Sequence, residues 1–457
     1  MKMLRIRIPL AVFAFVASAM LFVGVTSASA FEIKPITSPG GIKAWLVEEH
    51  SVPLIQVGVA FDGGSASDPK GKEGLAYLLS GMLDEGAGDL TSEQFQAKVS
   101  DLNVKLSFDA DRDSFTASFA TLTENREEGF KLLGLALSAP RFDKEPLERV
   151  RKQIIAILAR DSEDPSTIAQ LAWFKGIFGT HPYGHAVRGD RSTVSGISAD
   201  DLRGLTKREF SRDKMYVAIV GDVDAAEAGR LLDMALGKLP ATGPEPAVKD
   251  TALGYEPGLK IVPKQVPQTA VYFGEAGIKR KDPDWYSAYV MNYVLGGGGF
   301  SSRLMDEVRE KRGLTYGVST YLYPMDHAGL ILGQVASENT KVAQSIAIIR
   351  AEIGKLAANG ITDKELEDAK TYLTGSYPLS FDTSSKIVGQ LVGIQREGLG
   401  LDYVKNRNKL IQAVTADDVK RVAARLLDPD KLFWVAVGNP QGLGTPDSPQ
   451  LPAAAKE

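Results

Sequence analysis

The stretch ISADDLRGLTKREFSRDKMYVAIVGDVD, residues 197–224, returns in altered form as VTADDVKRVAARLLDPDKLFWVAVGNPQ, residues 414–441, without a gap. In each copy a hydroxyl residue, Ser198 or Thr415, precedes a helical pattern, and such residues cap helix N-termini. An apolar run typical of a strand then follows, MYVAIVG or LFWVAVG. A second pair, DKEPLERVRKQ from 143 and DKELEDAKTY from 363, repeats in the same order. The chain is therefore predicted to contain two homologous halves.

Composition marks the limits of these halves. The segment Pro240–Gly258 is rich in Pro, Gly and Ala and lacks hydrophobic periodicity, which is typical of a linker. The last residues are rich in Pro. We predict a signal peptide at 1–30, a first half at 31–240, a linker at 241–258, a second half at 259–440 and a disordered tail at 441–457.

The N-terminus has the pattern of a secretory signal. Lys2, Arg5 and Arg7 precede an apolar run, and Ala28 and Ala30 then stand in A-x-A spacing. The pattern predicts cleavage before residue 31, and an uncleaved membrane anchor is the alternative. The absence of Cys excludes a lipoprotein anchor and disulfides. We expect an exported periplasmic protein that, once the signal is cleaved, has no membrane contact.

Charge and local patterns bound the remaining possibilities. A net charge of −4 gives no electrostatic basis for binding nucleic acid. AWLVEEH and LIQVGVAFD are predicted to form a strand pair, and VKLSFDADRDSFTASFATL a hairpin. Helices are expected near 124–138 and 144–160. This mixture favours an α+β fold in which mostly antiparallel sheets are covered by helices on one face.

One predicted helix, GLAYLLSGML at 74–83, has an unusual composition. Its Leu and Met residues form one apolar stripe. Tyr77, Ser80 and Gly81 fall on the opposite face, which we expect to point away from the core. A glycine inside a helix costs about 1 kcal/mol relative to alanine.

The order of motifs resembles the pitrilysin/insulinase (M16) family of zinc metallopeptidases. DGGSASDP, GLAYLLSGML, ILARDSEDP, HPYG, AVRGD and VAIVGD follow one another in the first half, and LGGGGFSSRLMDEVREKRGLTYGVS lies in the second. The chain is most similar to the short two-domain members, such as the noncatalytic α-type subunits of processing peptidases and their bacterial relatives. The resemblance implies two domains that form half of a clamshell chamber.

In active members the first of these helices carries H-x-x-E-H, in which two His bind zinc and the Glu activates water. The resemblance places Tyr77, Ser80 and Gly81 at those positions, and Ala156 and Ile157 where a later helix supplies a Glu ligand. None of these side chains can replace its counterpart. The sequence thus predicts that this chain binds no metal, and zinc is expected in a partner subunit.

The resemblance also assigns roles in the second half. Active members use an Arg and a Tyr, seven residues apart, at the closed cleft. Arg309 and Tyr316 stand at that spacing in REKRGLTY. A guanidinium and a phenol could both donate hydrogen bonds to an oxyanion that forms on a peptide carbonyl. Outside the family context, they would be a solvated helix residue and an ordinary strand aromatic.

Other polar residues have weaker functional signals. His181 and His185 form H-x-x-x-H, but the intervening Pro and Gly predict a loop rather than a metal-binding helix. His50 and His327 are isolated. Asp109 and Asp111 alternate with apolar residues and are expected to face solvent.

The run Gly296–Gly299 lacks the Lys-Ser/Thr of a phosphate-binding loop. It predicts a tight turn that leads into a helix capped by Ser301 or Ser302. The turn could also line the path that a peptide substrate follows.

Two functions of different classes follow. The first is a noncatalytic subunit that forms a heterodimer with an H-x-x-E-H-bearing chain and offers Arg309 and Tyr316 to peptide substrates. The second is a non-proteolytic structural or peptide-binding scaffold of the same fold. An independent hydrolase is disfavoured, because no Ser/His/Asp or His/Glu cluster replaces the missing site.

Overall fold

The computed structural model describes residues 31–244 and 248–455 and contains two large β-sheets. The predicted signal peptide lies outside the described residues. The strands of the first sheet are Lys34–Thr37 (β1), Lys43–Glu48 (β2), Leu54–Asp62 (β3), Lys105–Ala110 (β4), Ser114–Leu122 (β5) and Met215–Gly221 (β6). Those of the second are Gly258–Pro263 (β7), Gln268–Ala276 (β8), Thr315–Pro324 (β9), Gly329–Glu338 (β10) and Phe433–Gly438 (β11). A short ribbon joins Gly444–Thr445 (β12) and Ser448–Pro449 (β13).

Helices follow the strands in both halves. Those of the first half are Leu75–Ser80 (α1), Ser92–Asp101 (α2), Arg126–Ser138 (α3), Lys144–Asp161 (α4), Pro165–Phe178 (α5), Arg191–Ser195 (α6), Ala199–Glu209 (α7) and Ala225–Leu236 (α8). Those of the second are Trp285–Asn292 (α9), Val342–Asn359 (α10), Asp363–Gly375 (α11), Ser384–Arg396 (α12), Tyr403–Gln412 (α13) and Ala416–Leu426 (α14). In the described part of the chain, no helix is long and apolar enough to cross a membrane.

The repeated stretch adopts the same structure in both halves. α7 and α14 begin with capping boxes, in which Ser198 pairs with Asp201 and Thr415 with Asp418. The strands that follow, β6 and β11, each lie between one parallel and one antiparallel neighbour. The sheet orders, β1-β2-β6-β3-β5-β4 and β7-β11-β8-β10-β9, match apart from the added β1. The predicted α+β fold with two homologous domains is confirmed.

The predicted strand pair AWLVEEH and LIQVGVAFD is wrong. Both segments are strands, β2 and β3, but β6 lies between them and pairs with each. The repeated stretch therefore supplies a central strand, which arrives from more than 150 residues away. Local alternation identifies a strand but does not identify its neighbours.

The expectation that helices cover one face of each sheet is also wrong. The halves exchange helices across their outer faces. α5, from the first half, packs on β8 and β11 of the second sheet, and α12, from the second half, packs on β3 and β6 of the first. Trp173 of α5 is fully buried, and its indole N–H donates to the carbonyl oxygen of Phe433 at 2.9 Å. Val388 and Leu391 of α12 are buried against the first sheet.

The predicted disordered tail is likewise ordered through residue 455. Leu443 is fully buried in the core of the second half. The guanidinium of Arg350 donates to the carbonyl oxygen of Pro452. The backbone N–H of Ala455 donates to the carbonyl oxygen of Ala347 at 3.1 Å. The tail's Pro content suits an extended chain lying along α10, so composition alone did not distinguish this docked segment from a disordered one.

An ionic cluster joins the two halves. Arg396 of α12 pairs with the carboxylate of Asp326 at 2.6 Å and with that of Asp62, from the first half, at 3.6 Å. It also donates to the carbonyl oxygen of Asp113 at 2.9 Å. Burial is the main cause that raises the pKa of the Asp113 carboxyl to about 6, and the phenol of Tyr183 donates to this group.

The exchange of helices predicts that the halves lose stability together. Trp173→Ala should cost about 3–5 kcal/mol because it leaves a cavity under the second sheet. Hydrogen exchange should then show lower protection in both β6 and β11. Leu379→Ala, at a side chain that is 65% exposed, is the control and should change stability by less than about 0.5 kcal/mol. Loss of protection in β11 alone would contradict the coupling.

The half-buried carboxyl of Asp113 predicts a pH dependence of stability. Its folded-state pKa lies above its unfolded value, so its contribution to stability is complete below about pH 4 and is lost as the pH rises through about 6. Asp113→Asn should therefore gain on the order of 1–2 kcal/mol relative to wild type between pH 4.5 and 7.5, as measured by urea unfolding. Asp109→Asn, on the exposed side of β4, is the control. An equal stability difference at both pH values would refute the assignment.

Candidate functional site

The helix at the degenerate motif is shorter than predicted. α1 ends at Ser80, and Gly81 is its C-cap residue, so this glycine does not lie inside the helix. Its backbone N–H donates to the carbonyl oxygen of Leu79. At the other end, the Asp68 carboxylate accepts three backbone N–H groups, from residues 74–76, at 2.8–3.1 Å. The side chain of Asp68 thus fixes the start of α1, and the third motif position follows the last helical turn.

The sequence had suggested that the motif face points away from the core. In the structure this face is largely covered by the protein instead. Ser80 is 8% exposed, and its hydroxyl donates to the carbonyl oxygen of Tyr77 at 2.8 Å. Tyr77 is half-buried and packs against the first core. The guanidinium of Arg188 lies 5.3 Å from the centre of the Tyr77 ring. Neighbouring elements therefore cover this face and use its side chains for packing.

The residues that the resemblance places at the zinc positions do not fit a zinc ion. Tyr77 is held beside a cation, the Ser80 hydroxyl bonds to its own helix, and Gly81 has no side chain. Ile157, half-buried on α4, is apolar. Across residues 31–244 and 248–455, no three His, Cys, Asp or Glu side chains lie close enough to hold a metal. These residues therefore give no basis for a zinc-dependent reaction in this chain.

Arg309 lies in a π-helical segment of the helix that was expected to follow the Gly-rich turn. This segment spans Met305–Glu310, and π-turns often occur at functional sites. The Arg309 guanidinium lies 4.5 Å from the centre of the Phe300 ring, and Phe300 is 66% exposed. Its ion pair with Glu310, at 3.6 Å, is a weak surface contact. The sequence analysis did not identify Phe300; an aromatic residue directly after four glycines was the available signal.

Tyr316 stands near the start of β9 and is 84% exposed. Gly313 precedes it by three residues, and the Gly313 N–H donates to the Arg309 carbonyl oxygen at 2.8 Å. Seven residues further along β9, about 23 Å at strand spacing, Tyr323 lines a cavity together with Tyr77. Within this chain, the Arg309–Tyr316 pair and the degenerate motif are therefore separate.

The Gly-rich turn lines a second cavity, of about 620 Å³, beside this pair. Its chain is π-helical over Tyr293–Gly297, and the Ser302 hydroxyl bonds to the carbonyl oxygen of Gly299 instead of capping a helix. Ser302 directly precedes the helical residues 303–310, and its carbonyl oxygen accepts the Asp306 N–H at 3.0 Å, so it occupies the expected cap position although its hydroxyl bonds elsewhere. A Cβ atom at Gly296 would lie 2.5 Å from the Thr320 hydroxyl oxygen and 2.7 Å from its backbone nitrogen. Glycine thus permits the turn to contact β9 directly.

The histidines do not form a metal site. The segment between His181 and His185 is a short 3₁₀ turn rather than an α-helix, in agreement with the predicted loop. The imidazole of His181 bonds to a backbone carbonyl oxygen at 3.0 Å. Burial lowers the pKa of the His185 imidazole. His50 and His327 each contact a single Asp carboxylate.

The two acidic residues of the first hairpin, Asp109 and Asp111, are both exposed, as expected, but only Asp111 forms hydrogen bonds within the turn. Asp109 is exposed on β4. Asp111 is also exposed, and its carboxylate accepts the backbone N–H groups of Asp113 and Ser114 at 2.7 and 2.6 Å. Asp111 therefore stabilises the hairpin turn.

Comparison with known families agrees with this architecture. The family model described as "Insulinase (Peptidase family M16)" matches residues 44–190, and "Peptidase M16 inactive domain" matches residues 196–373. The chain belongs to the M16 peptidase family. It is a noncatalytic member of that family, and the residues that the resemblance places at the zinc positions have no side chains suited to binding zinc.

Individual M16 relatives cover almost the whole chain. The "Non-peptidase homolog YmxG" of Helicobacter pylori is 28% identical over 396 residues, 86% of this chain and 90% of the relative. The "Uncharacterized zinc protease YmxG" of Bacillus subtilis is 22% identical over 417 residues, 90% of this chain and 99% of the relative. A crystal structure titled a peptidase M16 inactive domain, from Pseudomonas fluorescens, has a TM-score of 0.84 at 28% identity, covering 92% of this chain and 100% of that one.

The contact between Gly296 and β9 yields a test. Gly296→Ala should force the turn away from Thr320 and cost about 1–3 kcal/mol, as overpacked sites do. Gly299→Ala is the matched control, since its Cβ would meet open space and only its φ of +58° adds strain, of about 1 kcal/mol. Urea unfolding compares the two. If Gly296→Ala were no more destabilising than Gly299→Ala, the close contact would not be structurally important.

Proposed function

We propose that this chain is the noncatalytic subunit of a heterodimeric M16-type zinc peptidase. Arg309 and Tyr316 would bind the peptide substrate and donate hydrogen bonds to the oxyanion that forms on its scissile carbonyl. The catalytic metal would belong to a partner chain that carries H-x-x-E-H. The observation that carries the proposal is the division of residues in this chain, in which the ligand positions are lost and the donor pair is present and accessible.

The surroundings of the pair support a role in contact with another molecule. Phe300 and Tyr316 are large side chains that are 66% and 84% exposed. Aromatic and Arg residues are enriched where protein surfaces bind partners. The Arg309 guanidinium lies over the Phe300 ring, 4.5 Å from its centre, so an exposed aromatic side chain stands beside a partly exposed hydrogen-bond donor.

The proposal includes a location and a substrate class. The signal pattern at residues 1–30 supports export to a periplasm, where the mature chain would act. The cavity of about 620 Å³ beside the Gly-rich turn is lined by glycines of the turn and by residues of β8, β9 and β10, among them Tyr272 and Tyr321, and it offers room for an extended peptide. Peptides rather than folded proteins are therefore the proposed substrates.

The test is to purify this chain with an H-x-x-E-H-bearing M16 chain from the same genome and to measure cleavage of a quenched fluorogenic peptide. The pair should cleave the peptide, and neither chain alone should do so at a comparable rate. Arg309→Ala and Tyr316→Phe should each lower kcat/KM about 100-fold, the size of effect seen on loss of one oxyanion donor. Arg312→Ala, at a neighbouring Arg paired with Glu307, is the control and should retain activity.

Full activity of the pair with both substitutions would exclude the proposed role. A complex that forms but cleaves nothing would favour the alternative, a structural or peptide-binding scaffold of the same fold. The name of the Helicobacter pylori relative, a non-peptidase homolog, makes this alternative specific enough to test.

A further inference from the structure

The cavity of about 620 Å³ beside the Gly-rich turn has an uncharged lining. Among residues 31–244 and 248–455, no Asp, Glu, Lys or Arg side chain lines it. Two other cavities differ in this respect: the one beside Tyr77 has Asp161 and Arg188 in its walls, and the one between the halves has Asp326 and Arg396. Charged residues make up 24% of the chain. Their absence therefore distinguishes this cavity from the others.

The floor of the cavity is the outer face of β8, β10 and β9. The strand register places Tyr272, Gln334 and Ser319 in one row, because Gln334 pairs with both of the others. The adjacent row is small, since Ala336 pairs with Ala270. Paired side chains project from the same face of a sheet. The floor thus combines a polar row with a row that leaves space for a side chain of a ligand.

Neither the tyrosines nor the neighbouring helix adds a charge to this cavity. The hydroxyls of Tyr272 and Tyr321 bond to each other, and burial raises the pKa of both phenols, so both stay protonated at neutral pH. The first turn of α5 reaches the cavity at Ser166, and a helix N-terminus can attract an anion. The Asp164 carboxylate already caps this end and accepts the Thr167 N–H at 2.7 Å.

A charged side chain that entered this cavity would lose part of its hydration without gaining an ionic partner. That loss costs free energy, whereas an uncharged side chain loses little hydration and gains by covering apolar surface. Gln334 stands in the middle of the polar row and is exposed. Its carboxamide forms no hydrogen bond with another described residue. Gln334 can therefore offer a neutral donor and a neutral acceptor to a ligand.

We propose that this cavity is a subsite that selects peptides by charge, in which Gln334 favours an uncharged side chain of the substrate over a Lys, Arg, Asp or Glu side chain. The inference rests on the proposed function, because it takes the ligand to be a peptide that reaches Arg309 and Tyr316. It adds the class of side chain that the peptide carries beside this pair. A charge placed at position 334 would give the cavity a preference for the opposite charge.

The test measures binding to the full chain alone by fluorescence anisotropy, at physiological ionic strength, where distant charges are largely screened. The probes are N-terminally labelled, C-terminally amidated nonapeptides of Ala, Leu and Ser that differ only in a central Gln, Lys or Glu. The Gln peptide should bind about tenfold more tightly than either charged peptide. Gln334→Glu should make the Lys peptide bind at least as tightly as the Gln peptide. Gln334→Lys should do the same for the Glu peptide.

Gln412→Glu is the matched control, because Gln412 is also an exposed glutamine of the second half but lies on α13, outside the cavity. It changes the net charge by the same amount and should leave the preference for the Gln peptide unchanged. Ser319→Trp, which fills the floor of the cavity, should weaken the binding of all three peptides. Thermal unfolding of each variant confirms that it is folded.

Three results would each overturn the proposal: equal binding of the three peptides by wild type, no binding of any of them, or an equal change of preference in Gln334→Glu and Gln412→Glu. These results do not depend on catalysis. A pair of chains that cleaves no peptide would contradict the proposed function, and the charge preference of this chain alone would still be measured.

Discussion

The rest of the structure depends on the exchange of α5 and α12 between the two halves. Each sheet has two faces, and the helices of its own half cover only one. Trp173 on one side and Val388 and Leu391 on the other bury the second faces. Separation of the halves would expose both surfaces at once, and each buried large side chain contributes on the order of 2 kcal/mol. The duplication therefore produced one interlocked unit rather than two independent domains.

The position of α5 also organises the candidate sites. Ser166 and Ala169 line the cavity beside the Gly-rich turn, whereas Ile168 and Leu171 line the cavity beside Tyr77. Two sides of one helix thus separate the region of Arg309 and Tyr316 from the region of the lost zinc motif. The packing that holds the halves together fixes both sites, so the loss of the metal ligands left the scaffold intact.

Much of the fold could be predicted from the sequence because it rests on local rules. The caps at Ser198 and Thr415, the apolar strands after them and the hairpin of β4 and β5 each depend on residues close together in the chain. The insertion of β6 between β2 and β3, the exchanged helices and the docked tail depend on contacts between distant segments. No local pattern encodes those contacts.

The candidate site divides in the same way. The degeneracy at Tyr77, Ser80 and Gly81 followed from the family resemblance together with residue type, because none of these residues can act as the counterpart that the resemblance implies. The stacking of Arg309 on Phe300 required coordinates, since cation–π contacts have no sequence spacing of their own. The end of α1 at Ser80 was missed because the apolar stripe continues through Met82 and Leu83, which are buried in the turn beyond it.

The central claim is that this chain contains no zinc site of its own. The most direct measurement is the zinc content of the purified chain, by mass spectrometry of the metal after dialysis against metal-free buffer, alone and in complex with an H-x-x-E-H-bearing chain. The account predicts much less than one zinc per chain for this protein alone and about one per heterodimer. One tightly bound zinc per chain in the isolated protein would contradict it.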